Sequence, residues 1–76
     1  MSIFSQRLKE LRKARNVKQT DVAEYLGVQP RTIRFYESGT NEPSFELVVK
    51  LADFYDVSTD YLLGRTDDET PPKAKS

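Results

Sequence analysis

The chain has 76 residues, with 12 basic and 12 acidic side chains, no cysteine, no histidine and a formal net charge of zero at pH 7. That length has room for one domain around one small core, and the missing cysteines and histidines remove disulfides, a Cys or His nucleophile and the common zinc sites, so no metal or other cofactor is expected. No apolar run approaches the roughly 18–20 residues of a membrane span and the N-terminus lacks a secretory pattern, which predicts a cytoplasmic protein with no membrane partner.

Ser5 reads as the cap of a first helix running to about Arg15, with Phe4, Leu8 and Leu11 inside. Its other face is basic, through Arg7, Lys9, Arg12, Lys13 and Arg15, and for most of these a solvated face is the expectation. A second helix begins near Lys18-Gln19-Thr20, with Thr20 or Lys18 at the cap. Val22, Ala23 and Leu26 share its inner face, while Asp21 and Glu24 lie outside and complement the helix dipole. Gly27 supplies the positive φ of a tight helix end. Gln29 is a modest cap for a third helix with Pro30 at its first position, Ile33 and Tyr36 inward and Ser38 at its end. Small Ala23 suits a close crossing of the two helices. Gly39 to Pro43 is a turn. Ser44 then caps a fourth helix through about Tyr55, with Phe45, Val48, Leu51, Ala52 and Tyr55 inward. Val57 and Leu62 complete the core, and Ser58 or Thr59 starts a short fifth helix ending at Gly64. The remainder, RTDDETPPKAKS, has no apolar periodicity and reads as a flexible tail over 65–76.

Taken together, Gln19, Ala23, Gly27, Val28, Ile33, Tyr36, Glu37 and Gly39, with Pro43, Leu51-Ala52 and Tyr61-Leu62-Leu63-Gly64, resemble the helix-turn-helix domain of the Cro and C1 type phage repressors. This is the xenobiotic-response-element family of bacterial and phage transcription regulators, and the resemblance covers about Phe4 to Gly64. It implies an all-α, five-helix lambda-repressor-like domain over residues 1–64, with the motif at about 18–38 on helices 2 and 3. It further implies a third helix in the major groove of double-stranded DNA and a homodimer on a palindromic operator.

Site expectations follow from the motif and the residue types. Ile33 and Tyr36 turn inward, so Gln29, Pro30, Arg31, Arg34 and Phe35 are left facing outward as candidate base contacts, with Thr32 at the margin as a phosphate contact. Arg31 has no acid one turn away and suits a bidentate pair with guanine; Arg34 reaches either a base or a phosphate. Phe35 has three readings: packing on thymine methyls, covering the core edge, or meeting a protein partner. Lys18 and Gln19 lie at the start of the second helix, where unpaired N–H groups favour a phosphate. Family resemblance implies a phosphate role for Gln19, another for the backbone amides of the Gly39–Pro43 loop with the side chains of Thr40 and Asn41, and a pair between Arg12 and Glu37 that supports the third helix. Pro30 and Glu42 depart from the family's usual polar and basic residues.

Leu47, Phe54 and Tyr61 recur every seven residues and are expected at the dimer interface, since relatives often pair through the fourth and fifth helices. Charge is segregated, +5 over residues 1–36 and −5 from Glu37 onward, a field suited to docking on DNA in one orientation. These features predict a transcriptional repressor rather than an enzyme, because the tail acids Asp67, Asp68 and Glu69 do not converge on a pocket. The alternatives are an antitoxin, which would bring a toxin partner, and a protein-interaction module that keeps the fold without the DNA contacts; an antirepressor is a further possible partner.

Overall fold

In the computed structural model, which describes residues 2–71, the first helix starts at Ser2 and not at Ser5. The Ser2 hydroxyl accepts the Ser5 backbone N–H at 3.1 Å and caps α1, Ile3–Ala14. Ser5 is buried, its own hydroxyl donating to the Ser2 carbonyl. A serine bonded one turn back is satisfied within a helix, which is why it does not mark the boundary. The remaining helices are α2 Gln19–Leu26, α3 Pro30–Ser38, α4 Phe45–Tyr55 and α5 Thr59–Leu63. No strand occurs among the described residues, so the fold is all-α. Lys18 holds the cap position of α2, but lysine offers no acceptor. The Asp21 carboxylate compensates by accepting the Lys18 N–H at 3.2 Å.

Each helix stops by the same device. The chain turns into the left-handed region, and the following N–H returns to a carbonyl of the last turn: Val17 to Arg12 (3.1 Å), Val28 to Ala23 (3.0 Å), and Thr40 to Phe35, Val57 to Ala52 and Arg65 to Asp60 (each 2.9 Å). Glycine occupies three of these turns; Asn16 and Asp56 hold the other two, each at φ 57°. Val17, Val28 and Val57 follow three of these turns and fold against the core, so those stops also add packing.

α1 packs on α3 and α5, α2 on α3 and α4, and α4 on α5. Val22, Leu51, Tyr55 and Leu62 are fully buried at the centre. One apolar expectation changes. Phe45, assigned inward, is 92% exposed. It is the first residue of α4, and because side chains lean toward a helix's N-terminus it overhangs the end instead of reaching the core. Leu47, Phe54 and Tyr61, expected at a dimer contact, are half-buried and packed against the chain's own core. Phe54 lies against Tyr25 and edge-on to Tyr55, with ring centroids 5.0 Å apart in both cases.

The tail is also closer than expected. As far as Glu69 it lies along the domain, with Arg7 donating to the carbonyls of Tyr61 and Thr66 and to the Asp67 carboxylate. The Ser58 N–H donates to the Glu69 carbonyl at 3.0 Å. Residues 72–76, the rest of the expected tail, lie outside the described part. No helix among the described residues is long and apolar enough to cross a membrane.

Candidate nucleic-acid interface

The sharp stop at Gly27 and the proline start at Pro30 set α3 across α2, with Ala23 buried beside the crossing. Ile33 and Tyr36 anchor the inner side of α3. Gln29, Pro30, Arg31 and Arg34 are all exposed on the other side, as their spacing predicts, and Thr32 is half-buried. Arg31 and Arg34 enter no ion pair among the described residues. Phe35 is half-buried rather than open, it is absent from the side chains packed on the core, and the Arg34 guanidinium lies 5.4 Å from its ring centroid. Phe35 therefore backs the arginine, a cation–π arrangement that limits where the charge points.

Beneath this surface, Arg12 and Glu37 form a bidentate pair, Nε to Oε2 at 2.6 Å and Nη2 to Oε1 at 3.2 Å, with side chains 17% and 5% exposed. Sequence reasoning named the pair without its burial, which only the packing of α1 on α3 reveals. Arg12 Nη1 also donates to the Val17 carbonyl, and Gln19 Nε2 to Glu37 Oε1 at 3.2 Å. Bonding to Glu37 raises the Arg12 pKa above its ordinary value, against the opposing effect of burial. One carboxylate thus ties α1, α2 and α3 together. Gln19 retains a second amide N–H, since the group carries two donors.

The other expected phosphate contacts are placed unevenly. Lys18, Thr40 and Asn41 are exposed. The backbone N–H groups of Thr40 and Asn41, expected to be available, both point to the Phe35 carbonyl, and the Thr40 hydroxyl lies 2.8 Å from that of Ser38. Closing α3 consumes those donors. The Asn41 side chain remains.

Folding also rewrites the charge pattern. All three ion pairs among the described residues, Arg12–Glu37, Arg7–Asp67 and Arg15–Glu69, join the basic first half to the acidic second half. The expected separation of two charged ends is partly neutralised, while Lys18, Arg31 and Arg34 keep their charges open around α3. Arg15 additionally donates to the Tyr55 carbonyl at the end of α4 (3.0 Å), where the helix dipole favours a cation. Arg7 was assigned to a solvated face; no local spacing announces partners more than fifty residues away.

A short helix braced from below, presenting two arginines beside a glycine-stopped partner helix, defines a helix-turn-helix arrangement. The chain belongs to the helix-turn-helix family, whose model matches residues 8–62, and its fold is the five-helix, lambda-repressor-like one. It is 41% identical over 69 residues to the uncharacterized HTH-type transcriptional regulator YobD of Bacillus subtilis, covering 91% of this chain and 62% of that protein. It is 38% identical to the cryptic phage CTXphi transcriptional repressor RstR of Vibrio cholerae, covering 97% of this chain and 67% of the other. The chain thus spans about three fifths to two thirds of these relatives' length. Among solved structures, the P22 c2 repressor in complex with a synthetic operator superposes with a TM-score of 0.77 at 27% identity, covering 83% of this chain and 96% of that one. A transcriptional regulator from Listeria innocua gives 0.77 at 38% identity, covering 80% and 57%.

Proposed function

We propose that the chain is a sequence-specific, double-stranded DNA-binding transcriptional regulator, acting in the cytoplasm as a repressor and as a homodimer on a palindromic operator. It is a binding protein rather than an enzyme and needs no cofactor. The observation that carries this reading is the exposed side of α3, where Arg31 and Arg34 stand without acidic partners among the described residues, on a helix fixed by the buried Arg12–Glu37 pair. Membership of the helix-turn-helix family and the superposition on a repressor in complex with its operator support it. Arg31, Arg34, Gln29 and Pro30 meet the bases, with Phe35 backing Arg34. Lys18, the second N–H of Gln19, Thr32 and the Asn41 side chain hold phosphates on either side, with the donors of Thr40 engaged in closing α3.

The test is selection from a random duplex pool followed by affinity against salt. A palindromic consensus is expected. Arg31→Ala should cost about 1–3 kcal/mol and relax one position in each half-site. Lys18→Ala should weaken all sites alike and lower the salt slope by about 1. No enrichment at low salt would overturn the reading.

A further inference from the structure

α3 carries its two arginines and one aromatic ring on the same side. Counted from Arg31, Arg34 and Phe35 are three and four residues on, so the three side chains form one stripe, opposite the buried Ile33. Phe35 is half-buried without packing on the core. Beside it, the guanidinium carbon of Arg34 lies 5.4 Å from the ring centroid. Arg34 enters no ion pair among the described residues, and the attraction of the ring's face for a cation orients it.

We propose that Arg34 and Phe35 act as one reader of a guanine next to a pyrimidine that carries a C5 methyl group, and that 5-methylcytosine is accepted there in place of thymine. The inference rests on the DNA-binding function proposed above and names the base step that this part of α3 reads. A phenyl ring has no donor or acceptor, so on a stripe that enters the major groove it can neither match a base edge by hydrogen bonds nor hold a phosphate. The apolar feature that the groove offers it is the C5 methyl of thymine, while arginine pairs bidentately with guanine O6 and N7. Stacking ties the two readings together. Successive bases are about 3.4 Å apart along a strand, and a guanidinium 5.4 Å from the ring centroid reaches the base pair adjacent to the one the ring touches.

A contact made only to the methyl is blind to the rest of the pyrimidine. In the groove thymine presents an O4 acceptor and cytosine an N4 donor, and Phe35 addresses neither. Cytosine is therefore rejected for want of the methyl, and its C5-methylated form regains it. The result is a regulator whose affinity depends on cytosine methylation wherever a cytosine stands at this position.

Fluorescence anisotropy on variants of the duplex selected from the random pool tests this, with helix content followed by circular dichroism. Arg34→Lys keeps the charge but loses the planar fork, so the guanine whose selection it relaxes is the one that Arg34 reads. A thymine should stand beside that guanine. Uracil in its place keeps every hydrogen-bonding group and lacks only the methyl, and should weaken the wild type about fourfold for each methyl removed, the effect of leaving one apolar carbon without its contact. At the same position 5-methylcytosine should bind about fourfold more tightly than cytosine. Phe35→Ala should bind the thymine and uracil duplexes alike. A consensus with no thymine beside that guanine, a wild type indifferent to uracil, 5-methylcytosine no better than cytosine, or a Phe35→Ala variant that still prefers thymine would each overturn the proposal and leave the regulator reading standing. A wild type that enriches no duplex at low salt would overturn both.

Discussion

Replacing Arg12 by methionine keeps most of the side-chain stem and removes the charge that faces Glu37. The carboxylate is 5% exposed, and without Arg12 it keeps only the Gln19 amide as a side-chain partner. Removing one member of a buried pair typically costs about 3–5 kcal/mol, because the remaining charge stays desolvated. At about 0.05–0.15 kcal/mol per residue, a 76-residue chain has roughly 4–11 kcal/mol in total. The single change should therefore consume a large part of the stability and lower Tm by well over 10 °C, at about 4–8 °C per kcal/mol for a domain of this size. Replacing both partners, Arg12→Met with Glu37→Leu, removes the desolvated charges together and should return stability to within about 1 kcal/mol of the wild type or above it. Urea denaturation of the two single variants and the double variant measures the coupling. A loss below about 1 kcal/mol for Arg12→Met, the range of an exposed pair, would refute the buried-network reasoning. The double variant should also bind DNA more weakly despite its stability, since α3 and Gln19 lose their common anchor.

Other outcomes follow from the helix ends, the tail and the tyrosines. Asp56 holds φ 57° at the stop of α4, so Asp56→Gly should stabilise by a few tenths to about 1 kcal/mol in thermal melts, relief of left-handed strain exceeding the added chain entropy. Gly64→Ala should destabilise by about 1–2 kcal/mol, because φ is +85° and the new Cβ would lie 2.8 Å from Ile3 Cγ2. Arg7→Ala should release residues 65–71, seen as faster amide exchange at Ser58 and Arg65, at a cost of about 1–2 kcal/mol from the two carbonyl bonds, since the fully exposed Asp67 adds little. Burial raises the phenol of Tyr55 far above its ordinary value, the nearby Glu37 charge adding to the shift, and burial raises Tyr36 as well. The folded state holds these protons more tightly, so their contribution is complete below about pH 10 and is lost as pH rises toward the folded values, by up to about 1.4 kcal/mol per pH unit for each. Alkaline unfolding of Tyr55→Phe should show a shallower slope above pH 10.

Much of this protein was legible in its order of residues because the relevant physics is local. Gly27, Gly39 and Gly64 mark left-handed stops, Pro30 marks a helix start, and the spacing of Val22, Ala23, Leu26, Ile33 and Tyr36 chooses which sides are buried and leaves Arg31 and Arg34 outside. Those features give five helices, the crossing of α2 and α3 and the outward side of α3. Tertiary structure decided whatever depends on neighbours distant in sequence. Phe45 fits an inward periodicity, yet at the first position of α4 it overhangs the end and becomes surface. Leu47, Phe54 and Tyr61 look surplus in a helical count, but each is half-buried against the chain's own core. Arg7 and Arg15 look like a solvated face until the chain after Gly64 folds back onto them. The backbone donors of Thr40 and Asn41 look available until the stop of α3 claims them. Periodicity reports which side of a helix faces inward; how far cover extends along that side, and which charges meet, is set by where the other helices end.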